Sequence, residues 1–112
     1  MEILFFLIFF LFLPFLMGSF LSFDEIIKIQ YHDFKSAWEA DGRPSGFFWW
    51  PEDMNKNDLM GYARMRLSLI WLFKTPDWAK DNKTKKHFTR LRFFVLCWNS
   101  GMAILFFFII KQ

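Results

Sequence analysis

The sequence has one cysteine, two histidines and almost no charge at either end. A single Cys97 excludes an internal disulfide framework, and its place in an apolar run reads as a buried thiol. His32 and His87 stand far apart in sequence and outside the apolar runs, so no set of donors for zinc, copper or haem is present and no cofactor is called for. Serine and threonine are few, and no nucleophile motif or glycine-rich phosphate loop occurs, so nothing resembles an enzyme active site. The formal charge of +3 is too small to need a nucleic acid as partner.

What the chain has in excess is aromatic and apolar surface. Of 112 residues, 54% are hydrophobic and 23% aromatic, including eighteen Phe and six Trp. A soluble domain of this size has too little interior for so many rings. The apolar residues also gather at the two ends, with nearly every charge between them, which is a membrane layout.

The first apolar run, Ile3 to Phe23, carries no charge over 21 residues. As a helix it would reach about 31 Å, enough to cross a hydrocarbon core. Pro14 is tolerated in such a span, with a kink expected. A secretory signal is disfavoured: Glu2 replaces a basic start, the run is too long, and Gly18-Ser19-Phe20-Leu21-Ser22 offers no small-residue cleavage site. The expectation is an uncleaved anchor. The last run, Leu91 to Ile110, is bounded by Arg90 and Arg92 before and Lys111 after. Thirteen of the fourteen Lys and Arg lie between Lys28 and Arg92. By the positive-inside rule the middle segment, 24–90, is then cytoplasmic and both termini lie on the opposite face. None of the middle segment's carboxylates, from Asp24 to Asp81, falls inside a span, which argues against a proton or ion pathway.

The middle segment divides further. Ile27, Tyr31, Phe34 and Trp38 form one apolar stripe of a helix over Asp24 to Ala40, opposite Lys28, His32, Lys35 and Glu39, and this helix can continue the first span as a stalk. Asp41-Gly42-Arg43-Pro44-Ser45-Gly46 ends it in a turn. Phe47-Phe48-Trp49-Trp50-Pro51 follows, four aromatics that need burial or a place at headgroup depth. A second helix is expected from Asn57 to Phe73, with Asn57 as cap and Asp58 in its first turn. Its apolar half, which contains Trp71, is interfacial or covered by another protein. Thr75 and Pro76 are expected to cap and start a further helix that leads into the last span, with or without a break near Asn82.

Two sets of residues are candidates for interaction. Trp38, Phe47, Phe48, Trp49, Trp50 and Trp71, with Asn99, Ser100 and Gly101 inside the last span, are the candidate partner-binding set. Trp and Arg are common interface anchors, and small or polar residues let helices approach and hydrogen-bond in lipid. Gly18 and Ser22 make a similar small pair on the first span. Lys80, Lys83, Lys85, Lys86, Arg90 and Arg92, opposed only by Asp81, form a basic stretch that fixes topology and attracts anionic phospholipid headgroups.

The terminal spans, the Gly46-Phe47-Phe48 step and the basic run from Lys83 to Arg92 resemble the universal stress protein B type of small bacterial inner-membrane protein. The acidic and Trp-rich stretch from Glu39 to Asp58 departs from that pattern. The resemblance implies a bacterial inner membrane. The expectation is an all-α membrane protein: a transmembrane helix over 3–23, a helical, aromatic-rich cytoplasmic or interfacial segment over 24–90, and a transmembrane helix over 91–110. Its expected role is a non-catalytic accessory or scaffolding subunit of a larger membrane complex. The alternatives are a stand-alone membrane-stress or anionic-lipid-interacting protein and, after it, a holin-type pore-former.

Overall fold

A computed structural model describes residues 2–57 and 61–111, and every regular element among them is helical. Helix α1 runs Glu2–Asp33, α2 Lys35–Ala40, α3 Tyr62–Phe73 and α4 Asn82–Ile110, with one 3-10 turn at Asp77–Ala79 before α4. At 1.5 Å per residue, α1 is roughly 48 Å long, so it alone accounts for most of the molecule's 51 Å longest dimension. The chain is a two-helix hairpin of α1 and α4, with the intervening segment folded into a small head against their adjoining halves.

The apolar run of α1 is only the first part of its helix. Pro14 sits inside α1 without ending it, because one missing N–H leaves the rest of the ladder intact. The helix then continues past Asp24 to Asp33 as the stalk. It breaks only at Phe34, whose backbone leaves the helical region (φ −136°, ψ 53°). The ladder resumes at once: the Phe34 N–H donates to the Gln30 carbonyl at 2.9 Å, and the Trp38 N–H to the Phe34 carbonyl at 3.1 Å. The stripe therefore keeps one face. Ile27 and Trp38 are fully buried, Tyr31 and Phe34 half-buried, and His32, Lys35 and Glu39 exposed. Gly42 and Arg43, both at positive φ (95° and 53°), end α2.

Two expected helix starts are corrected. Asn57 does not cap α3. Its N–H donates to the Asn55 side chain at 3.0 Å, in a turn, and Asp58 lies outside the described residues. Helix α3 begins after Gly61, whose left-handed φ of 69° no right-handed helix can contain. Thr75 and Pro76 do not start a long helix either, although the break allowed for near Asn82 is present. Pro76 precedes a single 3-10 turn, and Asp81 (ψ 156°) breaks the chain again before α4. The Thr75 hydroxyl instead accepts a hydrogen bond from Arg92 Nη2 at 2.9 Å.

The core lies in the head. Phe23, Ile26 and Ile27 of α1 meet Leu67 and Trp71 of α3, Ala79, and Phe88 and Leu91 of α4. Trp71 is the centre, with ring centroids 5.3 Å from Phe23 and 5.4 Å from Phe88. The hairpin beyond it is held by rings laid over glycines. A side chain at Gly18 would meet the Phe94 ring, and one at Gly101 would collide with Phe12. Phe9 and Trp98 close the same seam edge to face at 5.9 Å. Both helices are long and apolar enough to cross a membrane, and only 6% and 11% of their most apolar stretches are buried. The core helix of a soluble protein would be mostly covered.

Candidate interaction surface

The aromatic loop is anchored by one carboxylate. Asp24, 3% exposed on α1, accepts the Phe47 N–H on Oδ1 at 2.6 Å and the Phe48 N–H on Oδ2 at 2.7 Å. Charge-assisted bonds of this kind are about twice as strong as neutral ones. Gly46 is required beside them, since a Cβ there would strike the Asp24 carboxylate. Its N–H donates to the Trp49 carbonyl at 2.8 Å, which closes the loop. Phe47 then stacks on Phe20 at 4.2 Å, and the Arg64 guanidinium lies 4.9 Å over its ring.

This anchoring sorts the four aromatics. Phe47 and Trp49 turn in, Trp49 against Tyr31 at 5.5 Å, while Phe48 and Trp50 remain 57% and 65% exposed. Trp38 and Trp71, expected at a partner interface, are corrected to core residues. Trp38 is fully buried, and its indole N–H donates to the Pro44 carbonyl at 2.9 Å. Trp71 fills the head as described. Large rings with an internal hydrogen bond or ring contacts gain more inside the chain than on its surface.

The polar patch of α4 also divides. Gly101 faces α1 and is spent on the Phe12 contact, whereas Asn99 and Ser100 are exposed on the helix's outward side. The Asn99 carboxamide donates to the Val95 carbonyl, one turn back, at 2.7 Å. On α1, Gly18 meets Phe94, and Ser22 is buried.

The basic stretch is not uniform. Arg92 turns inward: its Nε donates to the Trp71 carbonyl at 3.0 Å, capping the C-terminal end of α3, and its Nη2 reaches Thr75. It ties α3 to α4 and is not free for a headgroup in this conformation. Lys80 pairs with Asp77 at 3.0 Å in full solvent exposure. Lys83, Lys85, Lys86 and Arg90 are exposed on the first turns of α4.

Two side chains were not singled out from sequence, Asp24 as a loop anchor and Arg64 as an inward-turned cation, and Arg92 was assigned to the headgroup set rather than to the tie between α3 and α4. The available signal for Asp24 was a carboxylate directly after an uncharged run of this length. A search of protein-family models, of curated proteins and of solved structures finds no match to this chain.

Proposed function

We propose that the chain is a small accessory or scaffolding subunit of a larger inner-membrane complex, with no catalysis of its own. The single observation that carries this reading is the outward exposure of Asn99 and Ser100 midway along the last apolar run. A carboxamide has two donor hydrogens and an acceptor oxygen, and among the described residues only the bond to Val95 is made. In hydrocarbon the remaining groups are costly to leave bare, and a neighbouring helix is the source that supplies their partners. The half-exposed Phe48 and Trp50 extend the same contact surface to the head. In this reading α1 and α4 span a bacterial plasma membrane, the basic head is cytoplasmic, and both termini lie on the opposite face. The resemblance to the stress protein B type supports that location and no more.

The test is affinity capture of the tagged chain from its native membranes in mild detergent, read by mass spectrometry, for the wild type and Asn99→Leu. One stoichiometric large partner, lost or depleted with Asn99→Leu, supports an accessory subunit. Recovery of the chain alone counts against it.

A second reading, a stand-alone protein that gathers anionic lipid, is favoured by the exposed cluster Lys83, Lys85, Lys86 and Arg90. Anionic phospholipid enriched around the wild type, but not around a variant with these four reversed to Glu, would support it.

A further inference from the structure

The turn after α2 and the loop after Pro51 close against the start of α3 around a cavity of about 240 Å³. Arg43, Lys56 and Arg64 bring three cations to its wall, with Ser45, Asn55 and Trp50 between them. Among the described residues no carboxylate lines it. The described ion pairs, Lys28 with Glu25, Lys35 with Asp53 and Lys80 with Asp77, use none of the three cations. Glu39 lines an adjoining cleft, which Arg43, Asn55 and Lys56 also line.

Arg64 is the least solvated of the three cations. The residue is half-buried. Among the described residues its Nη1 donates to neutral acceptors, the Gly46 carbonyl at 3.2 Å and the Ser45 hydroxyl at 3.4 Å, and its Nε is shielded from solvent with no hydrogen-bond partner. A guanidinium so placed favours an anion nearby. Arg43 adds a second signal. It holds φ at 53°, a conformation that residues with a Cβ seldom adopt. The backbone is pinned there by its N–H to the Trp38 carbonyl and by the Asn55 N–H to its own carbonyl, each at 3.1 Å. A glycine would take this position without strain, so arginine here carries a backbone cost.

We propose that this cavity binds a phosphate-bearing anion. Arg43, Lys56 and Arg64 neutralise it, Ser45 and Asn55 supply hydrogen bonds, and the exposed Trp50 ring covers the attached ester. Phosphate suits the site better than a carboxylate because it offers several oxygens to diverging donors, and guanidinium groups can meet them in pairs. The volume lies below the roughly 300 Å³ at which drug-sized ligand sites begin, so a headgroup or a small phosphate fits and a nucleotide cofactor does not. No residue of the basic stretch before the last apolar run takes part.

Titration calorimetry on the full chain in neutral detergent tests this with two probes, dihexanoylphosphatidic acid and inorganic phosphate. The variant Arg43→Gly/Lys56→Gln removes two charges at exposed positions, and glycine relieves the strained backbone, so the fold is retained. Lys83→Gln/Lys85→Gln is the control for general electrostatic attraction. The expected result is one saturable site per chain, weakened roughly thirtyfold in Arg43→Gly/Lys56→Gln and unchanged in the control. Binding of the lipid alone assigns the site to a membrane headgroup, and equal binding of both probes assigns it to the phosphate group as such. No saturable binding of either probe by the wild type, or equal weakening in both variants, overturns the proposal.

Discussion

In the head, Trp71 is 2% exposed and meets Phe23 and Phe88 ring to ring, whereas toward the open end of the hairpin Phe6, Phe10, Phe106 and Phe107 are each more than half exposed. The same residue type does opposite work in the two regions. In the head the rings gain by leaving the surroundings, and the polar groups around them are tied down by Asp24 and Arg92. In the hairpin, under the proposed membrane setting, the rings would gain by matching an apolar surrounding, and the two helices approach closely where Gly18 and Gly101 admit a ring. A core of the first kind is stable by burial. A seam of the second kind depends on close approach, since lipid is as apolar as the side chains it would replace.

The largest effect expected is from Trp71→Ala, at about 3–5 kcal/mol for a truncated core ring. Hydrogen exchange mapped along the chain in detergent should show the head amides losing protection while the outer halves of α1 and α4 keep theirs. Loss of protection in both regions together would make them one cooperative unit and end the distinction drawn above.

Asp24→Ala should cost roughly 2–3 kcal/mol, because two loop N–H groups lose a charged acceptor in a buried place. Its signature is local: faster exchange at Phe47 and Phe48, and a shift in tryptophan emission as the loop loosens, with α3 unaffected.

Gly101→Ala acts on the other region. The added methyl meets Phe12, and overpacking of this kind costs about 1–2 kcal/mol, toward the low end of such changes. Spin labels at Leu4→Cys and Ile109→Cys should move apart, while thermal unfolding of the head is unchanged.

The smallest effect is on pH dependence. Lys35 hydrogen-bonds Asp53 at 2.9 Å, and that bond, followed by one from the Tyr31 hydroxyl, lowers the Asp53 carboxyl from its usual range to about 2. In the unfolded chain the group returns to about 3.9. The folded form therefore binds the proton less tightly, so the contribution of this group is complete above about pH 4 and is lost as pH falls toward 2. A denaturation series across that window should be flatter for Lys35→Met than for the wild type.

The legible parts of the fold were those set by local composition. Two long apolar runs announced two long helices, and the Ile27 to Trp38 stripe announced its buried face. The extent of α1 was less legible because hydropathy marks where charge begins, at Asp24, and not where the hydrogen-bond ladder ends, at Phe34. The start of α3 was misplaced for a related reason. Asn57 has the chemistry of a cap, but it is bonded in its own turn, and the positive φ of Gly61 decides the boundary. The partners of Trp38, Trp71 and Arg92 were not legible, although the stripe had marked the face on which Trp38 lies. Each depends on a partner 6, 17 to 48 or 21 positions away, Pro44 for Trp38, Phe88 and Phe23 for Trp71, and the Trp71 carbonyl for Arg92. No periodicity within one segment encodes such a meeting. Of the candidate surface, Phe48, Trp50, Asn99 and Ser100 are the members that the fold leaves outward.

Helices α1 and α4 each pass without a break from the head core into the apolar hairpin. They therefore act as paired levers rather than as separate posts. Phe12 seated on Gly101 is a fulcrum about midway to the open end, and Phe23 with Phe88, both packed on Trp71, is the grip at the head. A torque applied at the head is passed along both rods toward the distant ends, and Pro14, where the α1 ladder lacks one hydrogen bond, is a point at which that rod can bend.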